Sequence, residues 1–265
     1  QRNTIPSQVG FLSNPYANFG KVDNRGVDLS LTYHHHFDAG VNLSFRGTFT
    51  YAKNTILEID EPESIKGTYR SQTGHSINTL YGYWADGLYT AEDFDADGNL
   101  VEGLPVPELG ATVRPGDIKY LDMNGDGKIT NEDRGYIGGT NDPRIVYGFG
   151  ANIDWKGIDL SFFFQGTGDT YRIIGGDDYF IPGSGQGVLG NVFANYNDRW
   201  TEENPSQNVF WPRLSESTNT NNNVASTWWK KNMSFLRLKS IELGYTLPKS
   251  ALQKMHAKNF RIFVS

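Results

Sequence analysis

The sequence predicts an all-β fold: part of an antiparallel transmembrane β-barrel with long extracellular loops. Strictly alternating polar and apolar stretches recur along the chain, and their period of two is that of a strand with one buried face. The composition agrees: 14% of residues are aromatic and 30 are Gly, with few long helix-forming stretches. The connections between the alternating stretches are short and very long in turn, which is the plan of an outer-membrane barrel.

Residues 1–25 read as loop, punctuated by Gly20 and Gly26. Val27–Tyr33 then alternates strictly, and a connection over His34–Gly40 leads to a longer alternation, Val41–Tyr51. Those eleven residues give about 36 Å of strand at roughly 3.3 Å each. Tilted by about 45°, that is about 25 Å of height, the apolar band of an outer-membrane barrel. Soluble strands are usually about half as long.

The pattern returns in Tyr147–Trp155, where Tyr147, Phe149, Ala151, Ile153 and Trp155 share a face. A tight turn at Lys156-Gly157 leads into Ile158, Leu160, Phe162 and Phe164, with Phe163 breaking the polar side. Leu236 and Leu238 are out of phase with Ile241, Leu243 and Tyr245, which predicts a β-bulge at Lys239–Ser240. Phe260, Ile262 and Val264 begin a further strand. The connections at 52–144 and 167–233 are far longer than compact soluble domains usually contain, and Tyr81–Tyr89 has local strand character.

Charge and composition exclude several classes. No cysteine is present, so no disulfide or thiol chemistry is available, and a net charge of −6 argues against nucleic acid. No run reaches the length of a membrane helix, which does not bear on barrel strands. No signal peptide opens the chain; Gln1 reads as mid-protein. No nucleophile motif, phosphate-binding glycine loop or zinc spacing appears, and no pair of carboxylates stands out as a glycosidase pair.

The most specific chemical motif is Asp122-Met-Asn124-Gly-Asp126-Gly127-Lys128-Ile129-Thr130-Asn-Glu-Asp133. Oxygen side chains fall at positions 1, 3 and 5 of a calcium loop, with Gly127 at the sharp turn. Lys128 offers its backbone carbonyl at position 7, Thr130 stands at 9 and Asp133 at 12. Asp133 replaces the usual Glu, so bidentate closure is weaker. The expected ion is a structural Ca²⁺ held by Asp122, Asn124, Asp126, Lys128, Thr130 and Asp133. The competing reading is an acidic hydrated turn.

Asp93–Asn99 starts in the same way but would place Leu104 at position 12, so a hydrated Asp-Gly turn is expected, with a weak ion site as the alternative. His34, His35 and His36 are read as a solvated turn rather than a metal site. Trp84, Trp200, Trp211, Trp228 and Trp229 are read as loop packing or interfacial aromatics in preference to a glycan platform, and Trp155 as part of an aromatic girdle. Ser217–Thr227, rich in Asn and Thr, reads as a mobile surface loop.

Several blocks resemble the SusC/RagA-like TonB-dependent transporters. They are Tyr81-Gly-Tyr83-Trp-Ala-Asp86-Gly87, and Gly116-Asp117 through Tyr120 running into the calcium-type loop. Ile137-Gly138, Asp142-Pro143, Tyr147-Gly148-Phe149 and Lys156–Gly166 continue the order, as do Phe235–Lys239 and Leu243–Pro248. Asn18–Gly26 is similar to the family's strand-opening motif. The resemblance covers essentially the whole chain.

It implies an outer-membrane pore importing oligosaccharides or peptides, driven through TonB and covered by a SusD-like surface lipoprotein. It further implies that residues 1–265 are a C-terminal part of the barrel, without the plug domain and the final strands. The remainder of the transporter barrel would then close the sheet against outer-membrane lipid, because unpaired strand edges do not face lipid. A transport component, not an enzyme, is expected in the bacterial outer membrane. The alternative is a soluble calcium-stabilised β-sandwich that binds carbohydrate; a glycan-degrading enzyme ranks last.

Overall fold

The computed structural model describes residues 19–174, 193–215, 219–254 and 256–265. In chain order the strands are β1 (Lys21–His36), β2 (Val41–Glu58), β3 (Thr79–Gly82), β4 (Ala85–Leu88), β5 (Val106–Pro107), β6 (Ile118–Tyr120) and β7 (Lys128–Ile129). They continue as β8 (Gly135–Thr140), β9 (Ile145–Trp155), β10 (Ile158–Gly168), β11 (Tyr171–Ile173), β12 (Lys230–Asn232), β13 (Phe235–Thr246) and β14 (Arg261–Val264). One short helix, α1 (Lys249–Lys254), lies between β13 and β14. The chain divides into two compact units, Asp23–Thr55 with Asp142–Tyr171 and Asn232–Ser265, and Gln1–Val22 with Ile56–Asn141 and Arg172–Lys231.

The first unit is one six-stranded sheet in the order β1-β2-β9-β10-β13-β14. Its ladders β2·β9, β9·β10, β10·β13 and β13·β14 are antiparallel. Side chains alternate across a pleated strand, so register decides which face each row occupies. Val41, Trp155, Ile158, Tyr245 and Ile262 lie in one row, Asn42, Asp154, Asp159, Gly244 and Phe263 in the next, and Leu43, Ile153, Leu160, Leu243 and Val264 in the third. One face is therefore apolar across the whole sheet. It is also open: Leu31 is 61% exposed, Leu243 54% and Ile262 58%. The opposite face carries Asn42, Ser44, Arg46, Thr48, Asn152 and Asp154, the residues the alternation assigns to it.

Two local devices keep the rows in phase. Lys156 and Gly157 both have positive φ, 48° and 86°, which makes the two-residue hairpin whose twist matches the strands it joins. The ladder between β10 and β13 shifts between Phe163 and Phe164, so that Phe164 faces Leu238 and Phe162 faces Ile241. This is the bulge expected at Lys239–Ser240. Phe163, an apolar residue on the polar face, lies over Gly148 and Gly150 of β9; a Cβ on Gly148 would fall 2.7 Å from the Phe163 ring. Those glycines leave the space that the ring fills.

The structure corrects three boundaries. Strand β1 begins at Lys21 and runs through His36, so the turn is confined to 37–40, closed by the Gly40 amide donating to the Phe37 carbonyl (2.8 Å). The three histidines are strand residues because the alternation of Val27–Tyr33 continues through them, His35 in phase with Tyr33. Strand β2 continues past Tyr51 to Glu58. Residues 1–18, with Asn18 of the strand-opening motif, lie outside the described residues.

Both long connections leave and rejoin the sheet at one end, where Tyr51 pairs with Ile145 and Thr167 with Phe235; Trp155 pairs with Ile158 at the other. The second unit is built from these connections. It contains the antiparallel pairs β3·β8 and β4·β6 and the parallel pair β5·β7. Tyr83, Leu88, Tyr89, Ile118, Tyr120 and Ile129 are buried in it. Where a strand partner is missing, side chains replace it. The Gln207 amide accepts from the Leu88 N–H (2.8 Å) and donates to the Leu88 carbonyl (3.0 Å).

Candidate metal centre

The calcium-type loop is held by its own carboxylates. Asp122 Oδ1 accepts from the Gly125 amide (2.7 Å) and Oδ2 from the Gly127 amide (2.8 Å). Asn124 Oδ1 accepts from the Asp126 amide (3.0 Å), and Asp126 Oδ1 from the Lys128 amide (2.9 Å). The Asn124 and Asp126 bonds close Asx turns, in which a short polar side chain replaces a backbone acceptor. Gly125 and Gly127 have φ of 76° and 80°, which lets the chain wind tightly.

Asp133 joins the two ends of the loop. Its carboxylate is fully buried, with Oδ1 accepting from the Met123 amide (2.9 Å) and Oδ2 from the Thr130 amide (2.7 Å). Thr130 Oγ1 accepts from the Glu132 amide (3.1 Å), which caps the 3-10 turn Asn131–Asp133. Strand β7 inside the loop pairs with β5: the Val106 amide donates to the Gly127 carbonyl (3.0 Å) and the Glu108 amide to the Ile129 carbonyl (2.9 Å). Carbonyls alternate along a strand, so the Lys128 carbonyl is turned away from β5.

The donor set suits Ca²⁺ in kind, being entirely hard oxygens, and each engaged carboxylate oxygen keeps a second lone pair. Asp122, Asn124, Asp126, Thr130 and Asp133 are all brought into one hydrogen-bonded loop. Among the described residues, however, no three Asp, Glu or His side chains gather as a ready-made cage. Desolvation acts to raise the Asp122 carboxyl, but the amides of Gly127 and Gly125 outweigh it and hold the group below its ordinary value.

Asp93–Asn99 forms an Asp-Gly turn. Asp95 Oδ1 accepts from the Asp97 (2.9 Å) and Asn99 (2.8 Å) amides, and Gly98 has φ of 79°.

A second constrained polar group is one to which the motif gives no role. Asp117 is fully buried. Arg213 grips it with two parallel hydrogen bonds, Nε to Oδ1 (3.0 Å) and Nη2 to Oδ2 (3.0 Å). Asn219 Nδ2 and Asn222 Nδ2 each donate to Oδ1 (2.9 Å), and the Arg114 amide donates to Oδ2 (2.8 Å). Asn222 Oδ1 accepts from the Ile118 amide (2.9 Å), while Asn221 Nδ2 donates to the Ile118 carbonyl (2.9 Å). Tyr120, whose phenol is pushed far up by burial, donates to the Asn221 carbonyl (2.7 Å).

This overturns the reading of Ser217–Thr227 as a mobile surface loop. Ser217 lies outside the described residues, but Asn219, Asn221, Asn222 and Ser226 are buried. Their amides supply both donors and acceptors to β6, and burial of such groups is tolerable because they are paired. Three of the five loop tryptophans follow the packing reading: Trp200, Trp211 and Trp229 are buried, and Trp200 covers Gly116, where no Cβ would fit, while Trp84 and Trp228 are half-buried.

No family profile matches the chain. Curated relatives do. TonB-dependent receptor P26 of Formosa agariphila is 30% identical over 277 aligned residues, which take in 99% of this chain and 26% of that protein. TonB-dependent receptor P3 of the same organism is 26% identical, over 98% of this chain and 25% of its own length. The chain is a relative of the TonB-dependent receptors. It spans about a quarter of the length of these relatives.

Among solved structures, the RagAB peptide transporter shares the fold of this receptor relative. It aligns with a TM-score of 0.66 at 23% identity, over 98% of this chain and 26% of that one. The RagAB importer in its closed-closed state gives 0.61 at 24% identity, over 98% and 28%. The six-stranded sheet is thus a partial barrel wall, as the alternation predicts.

Removing Arg213 leaves the buried Asp117 carboxylate without its countercharge. Arg213→Ala is expected to cost about 3–5 kcal/mol locally, read as lost amide-exchange protection over Ile118–Tyr120. Arg213→Lys recovers only part, since an ammonium cannot form the two-pronged grip. Unchanged protection in Arg213→Ala would show that the pair is not the anchor.

Because the Asp122 carboxyl is depressed in the folded chain, its contribution is complete above the ordinary value of 3.8 and is lost as pH falls through the lower folded value. Calcium-free exchange measurements should find Gly125 and Gly127 protected at pH 5 and released only below 3.8.

Proposed function

We propose that this chain is barrel wall and extracellular loop of an outer-membrane TonB-dependent importer of oligosaccharides or peptides. The observation that supports this best is the sheet's continuous, open apolar face. In an aqueous domain that face would need a covering layer; against lipid it needs none. Strands of 16 and 18 residues and the tight turns at 37–40 and Lys156-Gly157, at the sheet end opposite the long connections, favour the same reading. Similarity to TonB-dependent receptors across nearly the whole chain supports it further. The calcium-stabilised β-sandwich lacks support, because no second large sheet covers the apolar face among the described residues.

In this reading Asn42, Ser44, Arg46, Thr48, Asn152 and Asp154 line the lumen. The remainder of the barrel closes the sheet, a SusD-like lipoprotein covers the mouth, and TonB supplies the energy through a part of the protein outside these residues. The chain contributes wall and loops; catalysis is no part of the role. Asp122, Asn124, Asp126, the Lys128 carbonyl, Thr130 and Asp133 hold a structural Ca²⁺. When bound, the ion would stiffen a loop that the Asx turns already pre-shape.

Mild-detergent extraction of the native full-length protein tests the membrane assignment. Recovery from the outer membrane together with a surface lipoprotein is expected. Recovery alone from the soluble fraction would overturn the importer and favour the sandwich.

The calcium role has its own check in the same preparation. Chelation should speed proteolysis within 52–144, and added Ca²⁺ should reverse the effect. Cleavage indifferent to both treatments would exclude a structural ion.

A further inference from the structure

We propose that the β1–β2 hairpin carries a transition-metal site on its polar face, in which His34 and His36 ligate one divalent ion through Nε2. Strand β1 extends through both residues. Positions two apart on a strand project to the same face about 6.6 Å apart along it, within the reach of two imidazoles tilting toward a shared ion. His35, between them, projects to the other face, where its ring meets Phe37 edge-on (4.3 Å) and stacks on Tyr33 (6.1 Å).

Both rings are already oriented from the neighbouring strand. His36 Nδ1 lies 2.7 Å from Asn42 Oδ1, and His34 Nδ1 lies 2.9 Å from Ser44 Oγ. An amide oxygen only accepts, so the contact selects the Nδ1–H tautomer of His36, and in the neutral ring Nε2 then keeps its lone pair. The Ser44 hydroxyl accepts equally well and allows His34 the same tautomer. Metal-binding histidines characteristically donate their second ring nitrogen to a carbonyl-type acceptor, which fixes tautomer and orientation. Here the orienting acceptors stand on β2 in the register that also pairs Thr50 Oγ1 with Asp28 Oδ1 (2.9 Å). The side chains are exposed, leaving the remaining coordination positions to water.

Imidazole favours Cu²⁺, Ni²⁺ and Zn²⁺ over the hard ions that suit the loop at Asp122–Asp133. The two sites therefore differ in ligand chemistry. This proposal stands on the hairpin alone and does not depend on the calcium loop.

The test uses full-length protein in detergent, purified without a histidine tag and titrated with Cu²⁺. The expected result is one saturable equivalent whose electron paramagnetic resonance spectrum reports two imidazole nitrogens. His34→Ala or His36→Ala should each leave one nitrogen and weaken binding at least about tenfold, while His35→Ala leaves both unchanged. Asn42→Ala should keep the two-nitrogen signature and weaken binding by roughly 10–100-fold. Absence of a saturable two-nitrogen signal, its survival in His34→Ala or His36→Ala, or its equal loss in His35→Ala would each overturn the site.

Discussion

Register is the constraint on which the sheet depends. Since side chains alternate, a slip of one residue between any two strands would exchange the apolar and polar faces over the whole of one of them. The hairpin at Lys156-Gly157 sets the register of β9 on β10 by leaving no slack. Gly148 and Gly150 reinforce it, because only at those positions does β9 leave room for the Phe163 ring. At the far side Gly244 makes space for Arg261, which bonds Asp159 across the ladder and also Glu242 (2.5 Å). Small residues and the groups that fill their space thus fix one alignment from several directions.

The unit built from the long connections is held on another principle. Its strands are a few residues each, too short to sustain a cooperative ladder. Order comes from side chains that act as backbone partners: Gln207 on Leu88, Asn221 and Asn222 on Ile118, and Asp133 on the two ends of its loop. Asp117 gathers donors from chain segments far apart in sequence. An anion without solvent is stable there because every approach carries a donor.

The two parts differ accordingly in how far they are legible in sequence. Period-two patterning exposes β2, β9 and β10, their faces and the bulge in β13, because the information is local and repeated at each residue. The loop at Asp122–Asp133 is legible for a related reason: its turns are made by side chains reaching two to five residues along the chain. Asn219–Asn222 is opaque. Asn and Thr signal a solvated loop on average, and what buries them are partners about a hundred residues away, with no periodic trace. The histidines fall between these cases. Their strand pairing follows from the hairpin, but polar residues at a strand end look like a turn until the cross-strand acceptors Asn42 and Ser44 are in view.

The bulge between β10 and β13 has a consequence for chimeras. It inserts one residue into the count of β13, so Leu236 and Leu238 before it and Ile241, Leu243 and Tyr245 after it reach the same face despite their opposite parity. A strand transplanted from a relative without that extra residue would present half its length inside out. Exchange of wall segments between such proteins therefore has to move Lys239–Ser240 together with the β10 residues opposite, as one inheritable unit, and the extra twist a bulge imposes travels with it as part of the curvature of the wall.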